Sequence, residues 1–217
     1  MGALNLDFYS LIYRLPAIIL ALSLHEYAHG RVAYAFGDPT AKHAGRLTLN
    51  PLRHLDMLGT VALIFFGFGW AKPVPVNPYY FQGNRAKKMM WVAGAGPLSN
   101  LAQALLMAVL LSLLLHAMPV MQSGASAGIT LLVNFLQYYI IINLVLAVFN
   151  LLPVPPLDGS KILAGLLPER HMHIIYQLEH YGFVILILLM VFGLTSRIIS
   201  PIVQLLYSGI LHLVGLW

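Results

Sequence analysis

The 217-residue sequence contains no cysteine. Disulfides, thiolate catalysis, iron–sulfur clusters and cysteine zinc sites are excluded, so any metal site must use His, Asp, Glu or carbonyl oxygens. Charge is also scarce, at 9% of residues against 59% hydrophobic. Soluble domains carry about 25% charged and 45–50% apolar residues. With too little charge to cover a water-facing surface, the chain is not a soluble globular protein. Disorder is excluded too, because it requires low hydrophobicity and high charge. Acids are fewest, with seven Asp and Glu against twelve Lys and Arg. The N-terminus does not read as a cleavable signal, because Asp7 precedes the first apolar run and Arg14, His25, Glu26 and His29 lie inside it.

What is present is a series of long apolar runs. A spanning helix needs about 20 mostly apolar residues. Residues 11–36, 89–118, 129–152, 174–194 and 198–217 meet that length, which makes five spans. Met57 to Trp70 is short and glycine-rich, and would be a sixth if it crossed rather than re-entered. The expected fold is an all-α polytopic membrane protein of five to six transmembrane helices. Between the first two strong spans, residues 38–88 differ. Gly37-Asp38-Pro39, Leu47-Thr48-Leu49 and Pro73-Val74-Pro75-Val76 read as turns and short edge strands, a small membrane-associated β region.

Basic residues orient the chain. Eight of the twelve Lys and Arg fall within 31–88, and Lys161 and Arg170 lie in a loop returning to the same side. The positive-inside rule then places 37–88 and 153–173 in the cytoplasm and the N-terminus outside. The uncharged loop 119–128 falls on the outer side. The same charges would read as a nucleic-acid patch only if clustered; they are spread and track topology, so no nucleic-acid partner is expected. Trp70, Tyr79, Tyr80 and Trp91 read as an interface belt. His171, His173 and His180 lie near a membrane boundary and read as interfacial rather than as ligands.

The sharpest chemical signal is His25-Glu26-Tyr27-Ala28-His29. On a helix, positions i and i+4 share a face, so both imidazoles can reach one zinc ion, with Glu26 beside them to take a proton from its water. Such a match is expected in roughly half a per cent of shuffled chains of this composition. Two imidazoles and a carboxylate inside an apolar helix are costly unless they pair or bind something. The competing reading is a buried polar cluster tying helices together. Counting from Leu11, His25 lies about 21 Å along the helix and roughly 10 Å from the cytoplasmic face of a core about 30 Å thick.

Catalytic zinc usually has three protein ligands and a water, so two histidines leave one ligand short. Asp158 stands out among the acids. It follows Pro153, Pro155 and Pro156, which cannot continue a helix, so the chain leaves helical form near Asn150. Irregular backbone at membrane depth is tolerated only against protein or a wet cavity. On spacing alone, Asp158 is equally a ligand at the depth of His25 or the cap of a following helix. Gly96-Pro97-Leu98-Ser99-Asn100 permits close helix approach, and Asn100 either donates into a central cavity or serves ordinary packing. Asn143 and Asn150, two turns apart, share a face and bond either substrate backbone or another helix.

Together these residues resemble the site-2 protease family of intramembrane zinc metalloproteases. The matching parts are the His25–His29 helix, Gly96–Asn100 and Asn150-Leu-Leu-Pro-Val-Pro-Pro-Leu-Asp158-Gly159, over most of residues 20–165. The resemblance implies that His25, His29 and Asp158 bind one zinc per chain, that Glu26 is the general base, and that Asn150 holds substrate or polarises the scissile carbonyl. Trp70 to Asn77 looks like the family's membrane-associated β region. The expected form is minimal, one membrane-embedded peptidase domain over 1–217, without PDZ or cystathionine-β-synthase domains and without a span before the zinc helix. The implied activity is endopeptidase cleavage of transmembrane segments of other proteins, in the bilayer of a prokaryotic plasma membrane, near its cytoplasmic face. The alternative from another class is a metal-binding transporter or scaffold. A transporter would more readily show repeated halves with a second broken helix, and the sequence shows none.

Overall fold

The computed structural model describes residues 8–66, 69–117, 126–168 and 172–216. Eight α-helices occur among them: α1 (Phe8–Ala35), α2 (Thr40–His43), α3 (Met57–Phe66), α4 (Arg85–Ala117), α5 (Ala127–Asn150), α6 (Asp158–Leu166), α7 (Met172–Val191) and α8 (Leu194–Leu213). The outer loop expected at 119–128 falls largely outside the described residues, as do His171 and the side chain of His173.

Among the described residues four helices, α1, α4, α5 and α8, are long and apolar enough to cross a membrane. The expected count of five to six is not reached among the described residues. Of α7, Leu178–Val191 is described with its side chains and forms a shorter apolar helix, so the expected span at 174–194 begins on residues whose side chains lie outside the described ones. Helix α3 has ten residues, about 15 Å at 1.5 Å per residue, half the hydrocarbon thickness.

The expected β region is also corrected. Among the described residues there is no strand, only an isolated antiparallel bridge between Leu55 and Ala71. Prolines at 73, 75 and 78 remove the donors a ladder would need. Segment 72–77 is instead an extended strap held by buried or half-buried side chains. Arg46 Nη2 donates to the Lys72 carbonyl at 2.5 Å, Glu26 Oε2 accepts from the Val74 amide at 2.7 Å, and Asp38 Oδ2 accepts from the Asn77 amide at 2.7 Å.

Helix ends follow local chemistry. The side chain of Asn84 accepts from the Lys87 amide at 2.9 Å, so α4 starts at Arg85 rather than 89. Gly193, at φ 67°, turns α7 directly into α8, which begins at Leu194 rather than 198. Helix α5 ends at Asn150, ahead of the three prolines. Pro16, Pro97 and Pro201 sit inside α1, α4 and α8. Arg14 inside α1 lies 5.5 Å from the Tyr138 ring centroid on α5, an aromatic face that offsets part of its cost in lipid.

Helix α4 is central, against α1 and α5 along its length and α6 at its N-terminal end. Ala104 and Ala108 pack with Leu136, Ile140 and Leu144 of α5, while Ala17 and Ala21 of α1 receive Tyr139. Small residues at these crossings let backbones approach closely, which is how helices associate without a hydrophobic drive in lipid. Leu106, Leu113, Phe183, Val191 and Leu205 face outward. An apolar exterior of this kind belongs against acyl chains rather than water.

Candidate active site

His25 and His29 project from α1, ten and six residues before its end at Ala35. Their ring centroids are 4.6 Å apart at an interplanar angle of 87°. Both are buried, although imidazole beside an apolar helix core needs partners. Space for them comes from α4. A β-carbon on Gly96 would lie 2.5 Å from His25 Cε1 and 2.5 Å from His29 Nε2. The glycine therefore does more than permit close helices; it vacates the volume the two rings occupy.

Asp158 arrives from the other side. The prolines end α5, and α6 restarts at Asp158 with Leu157 as its N-cap and no side-chain cap bond. The capping alternative is thereby set aside. Gly159 has no positive φ; a β-carbon there would collide with the carbonyl oxygens of Leu151 and Leu152, so the residue serves close approach rather than a sharp turn.

The three side chains converge on one point. His25 Nε2 lies 3.0 Å from His29 Nε2, and each lies 3.2 Å from Asp158 Oδ2. Ligand atoms around a tetrahedral zinc, with bonds of about 2.0–2.1 Å, are about 3.3 Å apart. The donor set also needs a cation for charge reasons. His29 Nδ1 is 2.7 Å from the Val92 carbonyl oxygen and His25 Nδ1 is 2.5 Å from Asn100 Oδ1. An oxygen acceptor at each Nδ1 keeps the proton of a neutral imidazole on that nitrogen, leaving both Nε2 lone pairs facing each other and a carboxylate. Three electron-rich atoms at such spacing repel unless a cation lies among them. His25, His29 and Asp158 are the group of potential ligands among the described residues able to hold a metal ion.

Glu26 and Asn150 line the same cavity of about 390 Å³ as the three ligand candidates. Glu26 is steadied by the Val74 amide of the strap. Asn150 Nδ2 bonds the Leu146 carbonyl at 3.0 Å, one turn back on its own helix. Asn143 turns elsewhere, so the shared face of the two asparagines serves two partners. Asn100 does not donate into the cavity; its amide is spent on Asn143. His180 is exposed, with its ring 4.8 Å from that of Tyr181 and away from the metal-fitting group. Trp70, Tyr79, Tyr80 and Trp91 are exposed, as an interface belt requires.

Lys161 also lines the cavity. The sequence reading counted it only as a topological charge. Its signal was present in the spacing, since a residue three after Asp158 shares that residue's helical face. The Val92 carbonyl had no signal, because any residue carries one.

Residues 113–193, which include the α5–α6 break and Asp158, match the family model described as Peptidase family M50. Over 202 residues the chain is 43% identical to a Bacillus subtilis protein named "Putative zinc metalloprotease YwhC", covering 93% of this chain and 90% of that one. The chain belongs to peptidase family M50, the site-2 protease family. Two further relatives carry the name "Putative zinc metalloprotease Rip2". That of Mycolicibacterium smegmatis is 32% identical over 82% of this chain and 66% of its own length. That of Mycobacterium tuberculosis H37Rv is 29% identical over 89% of this chain and 73% of its own length. No solved structure is matched. As an M50 member with four apolar helices of spanning length, the chain is an integral membrane protease.

Proposed function

We propose that this zinc metalloprotease cleaves peptide bonds within or beside transmembrane segments of other membrane proteins, as the catalytic step of regulated intramembrane proteolysis. The observation that carries the reading is the buried His25–His29–Asp158 donor set, opening with Glu26 onto one cavity between spanning helices. In this reading residues 1–217 form a single peptidase domain holding one zinc, with His25, His29 and Asp158 as its ligands. Zinc, when bound there, supplies a Lewis acid that acidifies a water and polarises a carbonyl.

The chain's own residues do the rest. Glu26 takes a proton from the attacking water and returns it to the leaving amine. The Val74 amide fixes the carboxylate that performs this transfer. Asn150, at the open end of α5, turns its amide to the scissile carbonyl. The strap at 72–77 is extended and joins no strand among the described residues. An unwound substrate segment can donate its amides to the strap's carbonyls, the strap's own amides at Lys72, Val74 and Asn77 being already bonded, which offsets the cost of exposing peptide groups in lipid.

His29 and His25 lie about 9 and 15 Å along α1 from its C-terminal end, within the cytoplasmic half of the hydrocarbon depth in this reading. The basic residues of 31–88 flank that end, which supports a site near the cytoplasmic face of a bacterial plasma membrane. The test is cleavage of a transmembrane-segment reporter by the full chain in liposomes. Cleavage should stop on chelation, return with zinc, and be lost in Glu26→Gln. A Glu26→Gln variant cutting at the parental rate would remove the mechanism.

A further inference from the structure

Two asparagines that touch neither the cavity nor the strap form a directed chain behind His25. Asn143 Nδ2 donates to the Tyr139 carbonyl at 2.9 Å, and Asn100 Nδ2 donates to Asn143 Oδ1 at 2.7 Å. Asn100 Oδ1 then faces His25 Nδ1 at 2.5 Å. Both asparagines are fully buried, at 0% exposure, between α1, α4 and α5.

The direction of this chain is determined at its far end. A backbone carbonyl can only accept, so the Asn143 amide nitrogen must point at Tyr139 and its oxygen at Asn100. That oxygen also only accepts, so Asn100 must present its nitrogen to Asn143 and its oxygen to His25. Flipping either amide would set acceptor against acceptor in a dry interior, where water offers no substitute. The last link forces His25 to carry its proton on Nδ1 and to offer a bare lone pair on Nε2. The tautomer of a ligating imidazole is set by the bond its other nitrogen makes.

We propose that Asn100 and Asn143 are positioning residues for the metal centre, and that the Tyr139 carbonyl, through them, fixes the His25 tautomer and aims its Nε2 at Asp158 and His29. This rests on the reading of His25 as a zinc ligand. Asn143 is two links from that ligand, yet its removal frees the Asn100 amide to turn and present its nitrogen, which cannot accept the Nδ1 proton. His29 needs no such relay, because the Val92 carbonyl bonds it directly.

The experiment is chelator-competition titration of zinc on the full-length protein, with His25→Ala as the reference for loss of a ligand. Asn100→Leu and Asn143→Leu should weaken zinc binding about 10- to 100-fold, the usual effect of losing an outer partner. Asn143→Asp should restore it to within about threefold, since a neutral carboxyl donates to Tyr139 and accepts from Asn100 as the amide does. Zinc bound as tightly by both leucine variants as by the parent, with His25→Ala weakened, would overturn the relay and leave the ligand set standing. Zinc held equally well by His25→Ala would overturn the ligand reading and the relay with it. Nitrogen-15 spectra of the unaltered zinc-loaded protein keep the question decidable if a leucine variant does not fold. They should show His25 protonated at Nδ1 and coordinated through Nε2; coordination through Nδ1 would refute the relay.

Discussion

Gly96 stands so close to His29 that a β-carbon on it would lie 2.5 Å from the ring's Nε2. The neighbouring helix backbone and a buried ring must both yield to admit a methyl group there. Gly96→Ala should therefore displace the imidazoles and lower zinc content per chain, with destabilisation of about 1–3 kcal/mol from overpacking. Metal analysis of the purified variant checks this. Zinc at the parental level would mean the rings have room that the structure does not show.

Glu26 and Val74 give a second prediction. Val74→Pro deletes the amide that holds the carboxylate while keeping the backbone extended between two existing prolines. A hydrogen bond to a charged group contributes about 1.5–3 kcal/mol, so cleavage should slow roughly 10- to 100-fold with zinc content unchanged. Glu26→Gln should be more severe, at roughly 10²- to 10⁴-fold, the span of general-base effects. Equal zinc in both variants separates positioning of the base from loss of the metal.

Asp158 completes the donor set, so Asp158→Ala should retain little zinc after dialysis against a mild chelator. A drop of similar size in His29→Ala would show that the two belong to one site. If Asp158→Ala keeps zinc as firmly as the parent, another oxygen must supply the third ligand.

The absence of cysteine makes topology directly testable by single-cysteine labelling. Gln82 is exposed in the loop before α4, and Ser126 is exposed at the N-cap of α5. A cysteine at 82 should react from the cytoplasmic side alone and one at 126 from the outside alone. Reversal of this pattern would move the site to the outer half of the bilayer.

Substrate sequence offers a fifth prediction. A helical peptide bond is shielded by its own hydrogen bond, so cleavage requires local unwinding. Gly and Pro cost about 1 and 3 kcal/mol in a helix relative to Ala. Replacing such residues near the cleaved bond with leucine should slow hydrolysis. A uniformly leucine-rich segment cut as fast as its glycine-bearing parent would rule out unwinding onto the 72–77 strap.

What the sequence determined by itself was the chemistry that depends on spacing along one helix and on composition. His25, Glu26 and His29 are legible because a helix places i and i+4 on one face, and the membrane class follows from a charge deficit that no fold can repair. The end of α5 was legible because proline lacks the donor a helix needs. The tertiary structure alone decided where Asp158 aims, since its capping and ligating readings share one local sequence. It also decided that residues 72–77 are strapped by Arg46, Glu26 and Asp38 rather than paired in a sheet. The roles of Gly96 and Asn143 were hidden for the same physical reason. A vacated volume and the direction of an amide are properties of contacts between helices, and these residues meet His29 and Asn100 across separations in sequence that no local pattern spans.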